Sequence, residues 1–444
     1  MQTKFFYTNF FEVKVNMQVH EAIFRTLDRG RSLDVMQEAE QWEINIVRDM
    51  AKRYLEICYS ESNMTKRELW KNFNALGNTR PLVNLQYFHA IKEILPIIPY
   101  PKTIHLASVE TAFLLQFWHY DNIDDDQIFD PWIQVAARRY TVPGTWGIEQ
   151  ARLESSARSW RILPAITKIE QLDRLIATPH RILDEDPQLA KLLRSFFGDL
   201  LPIHVNKGTV YGWWNGVDLS ETMNRLLGME EFMILMYDDP DLIHALMKKL
   251  RDGILANLAQ VDNAGDWSSC DGYNHAMLPT HGLPDAVPNT YGADPKTLWW
   301  FMHGQEFEVC SPDQHNEFLL KYQLPIMEKF GLISYGCCES LDIKIDILRQ
   351  IPNLRRICVG PHANLAKIAE QVGNDIILSW RPISTIINAN YSIESVHNLI
   401  KDGLAAADNK HVEIILKDIM TFNGHPERMF EFARICKEEI SNYY

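Results

Sequence analysis

Apolar residues follow two rhythms along this chain. From about Glu21 to Leu76 they recur three and four positions apart among good helix formers, as in VMQEAEQWEINIVRDMAKRYLEI, and this spacing predicts an N-terminal helical segment. From Arg80 onward the texture changes to short apolar runs bounded by turn residues or charges. The runs RPLVNLQ, HVNKGTVYGW, FEVCSP, GLISYGCC, RRICVGP, DIILSWRP and HVEIILKDIMTF predict strands. Between them lie amphipathic stretches. MEEFMILMYDDPDLIHALMKKLRDGILANLAQV reads as helix with a DDP break, and SPDQHNEFLLKYQLPIMEKFG opens with Ser311 as N-cap and Pro312 at the first helical position.

The last third alternates strand and helix at repeats of a few tens of residues. Such alternation implies parallel strands with right-handed crossovers, and strands that are apolar almost throughout fit a sheet covered on both faces. No GxGxxG or GxxxxGK[ST] follows any strand, so a nucleotide-binding doubly wound sheet loses support. The expected fold is α/β: a (β/α)8 TIM barrel over residues 79–444, preceded by a helical extension over residues 1–78. Barrel active sites lie at the carboxyl ends of the strands. Those ends carry Cys310; Cys337, Cys338 and Glu339; Gly360, Pro361 and His362; Trp380 and Arg381; and Lys417 and Asp418.

Composition narrows the partners. A net charge of -14 argues against a broad nucleic-acid-binding face and points to small molecules or proteins. The seven cysteines include no CxxC framework, which suits a reducing, cytoplasmic compartment. No apolar run approaches the roughly 20 residues that span a bilayer. The opening stretch is broken by Lys4, Asn9, Glu12 and Lys14 and does not read as a signal peptide; Met17 is an alternative start. A homodimer stays open.

The densest chemistry is YGCCES, Tyr335 to Ser340. Adjacent cysteines do not readily bridge to each other, because a disulfide needs suitably spaced Cα atoms and facing Cβ vectors. The pair is therefore a reactive or metal-binding site, two buried small apolar residues, or a mixture in which one sulfur packs and the other reacts. Glu306, beside Gln305, reads either as a ligand or acid/base group or as a loop carboxylate; a strand at FMHGQEF would bring both to the mouth. Trp213 and Trp214 form an aromatic pocket wall or pack in the core. Arg381 holds a substrate carboxylate or phenolate, or an ion pair at a strand end. Cys270, Asp271 and His275 have a loose metal-like spacing that favours a plain loop. His362 reads as a helix cap still in view of the site. Lys417 and Asp418 read as a structural pair, and Cys58, Cys358 and Cys436 as packing residues.

The segment from GQEFEVCSP through YGCCES and IPNLRR to SWRP, with KGTVYGWWNGVDLSETMNRLLGMEEFMILMYDDP before it, resembles the uroporphyrinogen decarboxylase-like superfamily, which includes cobalamin-dependent methyltransferases. The resemblance covers roughly residues 80 to 440 and implies a (β/α)8 barrel. True decarboxylases of this superfamily carry an arginine-rich RQAGR-type segment that holds several substrate carboxylates. Here GNTRPLVNLQYF offers only Arg80. The methyltransferases carry a zinc site of His-x-Cys and a later Cys; the matching positions here are Tyr335, Gly336 and Cys337, with Ser379, Trp380 and Arg381 at the later strand end.

The resemblance thus implies a zinc-assisted methyltransferase acting in O-demethylation or a related reaction. Cys337, Cys338, Glu306 and His362 are its expected metal ligands, since thiolate, imidazole and carboxylate suit zinc. Glu306, Glu339 and Arg381 are expected to be catalytic. Trp213, Trp214, Gln305, Tyr335, Trp380, Cys270 and Asp271 are expected to line the substrate pocket. No DxHxxG segment is present, so the corrinoid is expected on a separate partner protein. The alternatives are a lyase or decarboxylase of a small carboxylated substrate, with Arg381 as anchor and Glu306 as acid, and a barrel that binds without catalysing.

Overall fold

The computed structural model describes residues 31–154, 160–211, 219–271, 278–388 and 391–443. It is a mixed α/β structure built on parallel strands. Among the described residues three helices lead in: α1 (Arg31–Gln37), α2 (Gln41–Cys58) and α3 (Glu61–Asn74). Glu40 and Glu43 form a reciprocal capping box at the start of α2, and Ser60 Oγ accepts from Asn63 N to cap α3.

Among the described residues, eight strands in parallel ladders follow: β1 (Leu82–Leu85), β2 (Ile133–Ala136), β3 (Ile203–Asn206), β4 (Trp299–Met302), β5 (Leu332–Tyr335), β6 (Leu354–Val359), β7 (Ile377–Trp380) and β8 (Val412–Leu416). Six form one sheet in the order β1-β8-β7-β6-β5-β4, and β2 pairs with β3. Among the described residues no main-chain ladder joins β1 to β2 or β3 to β4. Side chains occupy both of those edges. Asp126 Oδ2 accepts from Val83 N at 2.8 Å and Asp125 Oδ2 from Leu85 N at 2.9 Å. On β3, Asn289 Oδ1 accepts from Val205 N at 3.4 Å, and the Tyr291 hydroxyl donates to the Val205 carbonyl at 2.7 Å. Edge groups that would otherwise be buried without partners are satisfied in this way.

Successive strand residues point to opposite faces, and neighbours in a parallel register share a face. One face carries Val83, Ile333, Tyr335, Ile357, Val359, Leu378, Trp380, Ile414 and Leu416, which join the large apolar core shared with the helices. The other carries Trp299, Phe301, Ser334, Arg356, Cys358, Ser379 and Glu413. At the starts of the strands, Trp70 and Phe73 of α3 pack with Leu82 and Ile377. Beside them Asn74 Oδ1 accepts from Arg356, whose guanidinium also pairs with Glu413 at 3.0 Å, both side chains being fully buried.

Two sequence expectations change here. FEVC is not a strand: β4 is WWFM, eight residues earlier, followed by a 3-10 turn at Gln305–Phe307. Alternating burial requires both faces to be covered, and Val309 is largely exposed whereas all of WWFM is at least partly buried. β2 was not anticipated, its four residues carrying too short an apolar signal between polar turns. The DDP break is as read: Met229–Asp238 and Pro240–Ala264 are separate helices, and Asp239 caps the second by accepting from Leu242 N. Ser311 caps Pro312–His315, but that rod continues through a π turn at Asn316–Leu320 before Lys321–Met327.

Candidate active site: a thiol pair between two cations

Because the six strands of the main sheet are parallel, the turns after β4, β5, β6, β7, β8 and β1 gather at one end. The turn after β5 begins with Gly336 at φ 95°, a left-handed conformation that glycine adopts without Cβ strain. It sends Cys337 and Cys338 off the strand. Glu339, fully buried, folds back and accepts from Gly304 N at 2.8 Å and from Cys337 N at 2.7 Å, tying the end of β4 to that of β5. Gly360, after β6, packs directly on this turn: a Cβ there would stand 2.3 Å from the Cys338 carbonyl oxygen.

The two sulfurs lie 3.7 Å apart. Lys417, just past β8, puts its Nζ 3.5 Å from Cys338 Sγ and also grips Asp418 Oδ2. Asp418 Oδ2 is itself 3.8 Å from Cys338 Sγ, and His89, after β1, places Nε2 3.6 Å from Asp418 Oδ1. On the other side Arg381 is fully buried; it donates to the Cys337 carbonyl and, at 2.7 Å, to Cys358 Sγ.

This arrangement splits the roles of the two thiols. The Cys337 thiol donates toward Cys338 and holds it, with the help of Lys417 and Arg381 and against the cost of burial, below the ordinary thiol range. Cys337 is pushed well above that range, first by its hydrogen bond to Cys338 and then by desolvation. With the Lys417 ammonium against Cys338, the site favours charge on Cys338 over Cys337. Cys358 is raised to about 11 by burial, so the sulfur beside Arg381 stays a thiol. The Asp418 carboxyl, although burial works against its charge, is held far down by His89 and Lys417. Lys417 is raised despite burial and Arg381, because the cysteines and Asp418 favour its charge. At neutral pH the site holds a thiolate, an ammonium, a carboxylate and a guanidinium.

The other expected residues are placed as follows. Glu306 lies in the turn after β4 and accepts from Ser220 Oγ at 2.6 Å, while Gln305 is exposed. His362 is exposed in the turn after β6. Tyr335 and Trp380 face the helical layer, not the strand-end cluster, by the parity of their strands. The Tyr335 hydroxyl meets His315 Nε2 at 2.8 Å and donates to Gln323 Oε1 at 2.9 Å, and the Trp380 ring lies over Gly403. Cys270 is buried, its thiol pushed up to about 12 by desolvation, and Asp271 accepts from His204 Nε2 at 3.0 Å. Trp213, Trp214 and His275 lie outside the described residues. Arg381 is in the cluster, but as a clamp on the cysteine turn. Lys417 and Asp418 pair at the strand ends as read, and beyond that pairing they join the cysteine site; His89 joins it unanticipated, its only signal being its place just past a strand end.

Zinc does not fit these residues. Among those described, no group of three or more His, Cys, Asp and Glu side chains converges to hold a metal ion. Glu339 is occupied by two main-chain N–H groups, Glu306 by Ser220, and the thiols are neighboured by two cations, which disfavour a third positive charge. Nor is any described helix long and apolar enough to cross a membrane.

No protein-family model and no curated protein matches the chain. Among solved structures, one similar to it is a methyltransferase from Methanosarcina mazei, with 12% sequence identity over 85% of this chain and 99% of that one and a TM-score of 0.45, a similarity too low to carry fold or activity across.

Proposed function

We propose that the six-stranded and two-stranded sheets are arcs of one (β/α)8 barrel and that the chain is a methyltransferase whose nucleophile is Cys338. The carrying observation is a cysteine sulfur at the carboxyl ends of parallel strands, with a second sulfur at 3.7 Å and the Lys417 ammonium at 3.5 Å, neighbours that favour its charged form. In this reading the Cys338 thiolate attacks the methyl carbon of a small methylated or methoxylated compound. The S–C bond forms as the bond from carbon to the leaving heteroatom breaks, and the electron pair goes to that atom. The methyl group then passes to a nucleophile on a separate protein, and the sulfur regains its charge. The sequence resemblance supplies a corrinoid protein as that acceptor. No step is routed through zinc.

The test is incubation with isotopically methyl-labelled methoxyarenes and methylamines, followed by peptide mass spectrometry. A labelled methyl on Cys338, discharged when a corrinoid-carrying protein is added, is the expected result. Methyl-donor consumption that continues undiminished in Cys338→Ser overturns the proposal. A second reading, decarboxylation of a small carboxylated substrate, is favoured by the two cations, Lys417 and Arg381, that flank the cysteine pair and suit a substrate carboxylate. Its signature is carbon dioxide release that survives Cys338→Ser.

A further inference from the structure

Removing a methyl group from an oxygen leaves an alkoxide or phenolate, a poor leaving group unless its charge is neutralised as it forms. A metal ion commonly supplies that neutralisation, and the described residues around Cys338 bring no three metal-ligating side chains together. They assemble something else. Lys417 Nζ stands 3.5 Å from the attacking sulfur, close enough to lie alongside a single methyl group seated on it and reach the atom beyond. Its side chain is only 10% exposed, so it meets the leaving atom with little competing water. Asp418 Oδ2 grips the ammonium, and His89 Nε2, 3.6 Å from the other carboxylate oxygen, approaches from the opposite side. The three residues come from the ends of two neighbouring strands, β1 and β8, whose register is fixed by their ladder.

We infer that Lys417 is the proton donor to the leaving oxygen, that Asp418 and His89 position it, and that the substrates of this site are accordingly methyl ethers. This rests on the methyl-transfer reading above and adds its acid. The step balances: the Cys338 thiolate, the methyl ether and the Lys417 ammonium become the S-methyl cysteine, the free alcohol or phenol and the neutral lysine amine. The amine regains its proton from solvent before the next turnover. Lys417 touches the reacting atoms and is a catalytic residue; Asp418 and His89 act through it.

The experiment compares two donors that share an acetate and differ in the departing atom: methoxyacetate, which leaves as an alkoxide basic enough to take a proton from the strongly held Lys417 ammonium, and dimethylsulfonioacetate, which leaves as a neutral thioether. Single-turnover methylation of Cys338 is followed by mass spectrometry in wild type, Lys417→Arg and Asp418→Asn. Arginine keeps a positive charge beside the sulfur but does not give up its proton. The ratio of ether rate to sulfonium rate is expected to fall on the order of 100-fold in Lys417→Arg, the scale of general acid assistance, and by a smaller factor in Asp418→Asn. Iodoacetamide labelling of Cys338 in each variant reports that the folded thiolate is present. An unchanged ratio overturns the inference and leaves methyl transfer standing. Loss of both rates in equal proportion also overturns it, since the lysine would then serve only the thiolate. A wild-type protein that takes a methyl from neither donor overturns the underlying reading instead.

Discussion

The charge of Lys417 is expected to set the acidity of Cys338, and its size follows from the geometry. At 3.5 Å and an effective dielectric constant of about 20, an ammonium stabilises a thiolate by about 5 kcal/mol. Asp418 Oδ2 at 3.8 Å opposes it with a nominally similar figure, but that side chain is 45% exposed against 10% for Lys417, so solvent screens much of the repulsion. One pH unit corresponds to about 1.4 kcal/mol. Taken whole, the Lys417 figure is about 3.5 units, and solvent at the partly exposed Cys338 screens part of it, so Lys417→Met raises the Cys338 pKa by roughly 2 to 3 units, bringing it to or above the ordinary thiol range. Asp418→Asn lowers it by about one unit or less, and the double variant falls between Lys417→Met and wild type. The assay is the rate of iodoacetamide labelling at Cys338, resolved by peptide mass spectrometry, as a function of pH. Labelling rises with pH through the pKa and then levels, so each shift appears as a displaced midpoint. A midpoint unmoved in Lys417→Met, or raised in Asp418→Asn, refutes the reasoning.

Three further outcomes test the packing behind the site. Gly403→Ala gains about 1 kcal/mol of helix propensity, but its Cβ would lie 2.1 Å from the buried Trp380 ring, so net destabilisation by about 1–2 kcal/mol is expected in denaturant unfolding; a stabilised variant would mean that Trp380 does not face this helix. Glu413→Gln strands the buried Arg356 charge and costs about 3–5 kcal/mol, whereas Arg356→Met with Glu413→Leu recovers most of it; equal loss in both would deny that the pair is buried. His315, held near a pKa of about 3 mainly by burial, stays neutral in the fold while the unfolded chain binds a proton below about 6.5. Stability is therefore lost as pH falls from about 6.5 toward 3, at up to about 1.4 kcal/mol per unit from this group. Comparing urea unfolding of wild type and His315→Gln at pH 7 and 5 isolates that slope, and parallel behaviour of the two would contradict it.

The sequence by itself determined the alternation of strand and helix, the all-parallel direction of the last four strands, and the concentration of polar groups just beyond their ends. These are local properties: apolar period, capping residues at Ser311, and turn residues such as Gly336 and Gly360 can be read within a few positions. The question raised by the adjacent cysteines was also framed there, including the mixed answer in which one sulfur reacts. Which sulfur does so was decided by tertiary structure, because Cys338 owes its acidity to the Cys337 hydrogen bond, set by a turn held by Glu339 against β4, and then to Lys417, 79 residues away. The same holds for face. Tyr335 and Trp380 end their strands and look like pocket residues in a linear reading, yet register with β6 and β8 assigns them to the helical layer. His89 and Asp418 lie at opposite ends of the chain and become neighbours only because β1 pairs with β8. Electrostatic partners act over a few ångströms of space whatever their separation along the chain, and only the fold supplies that distance.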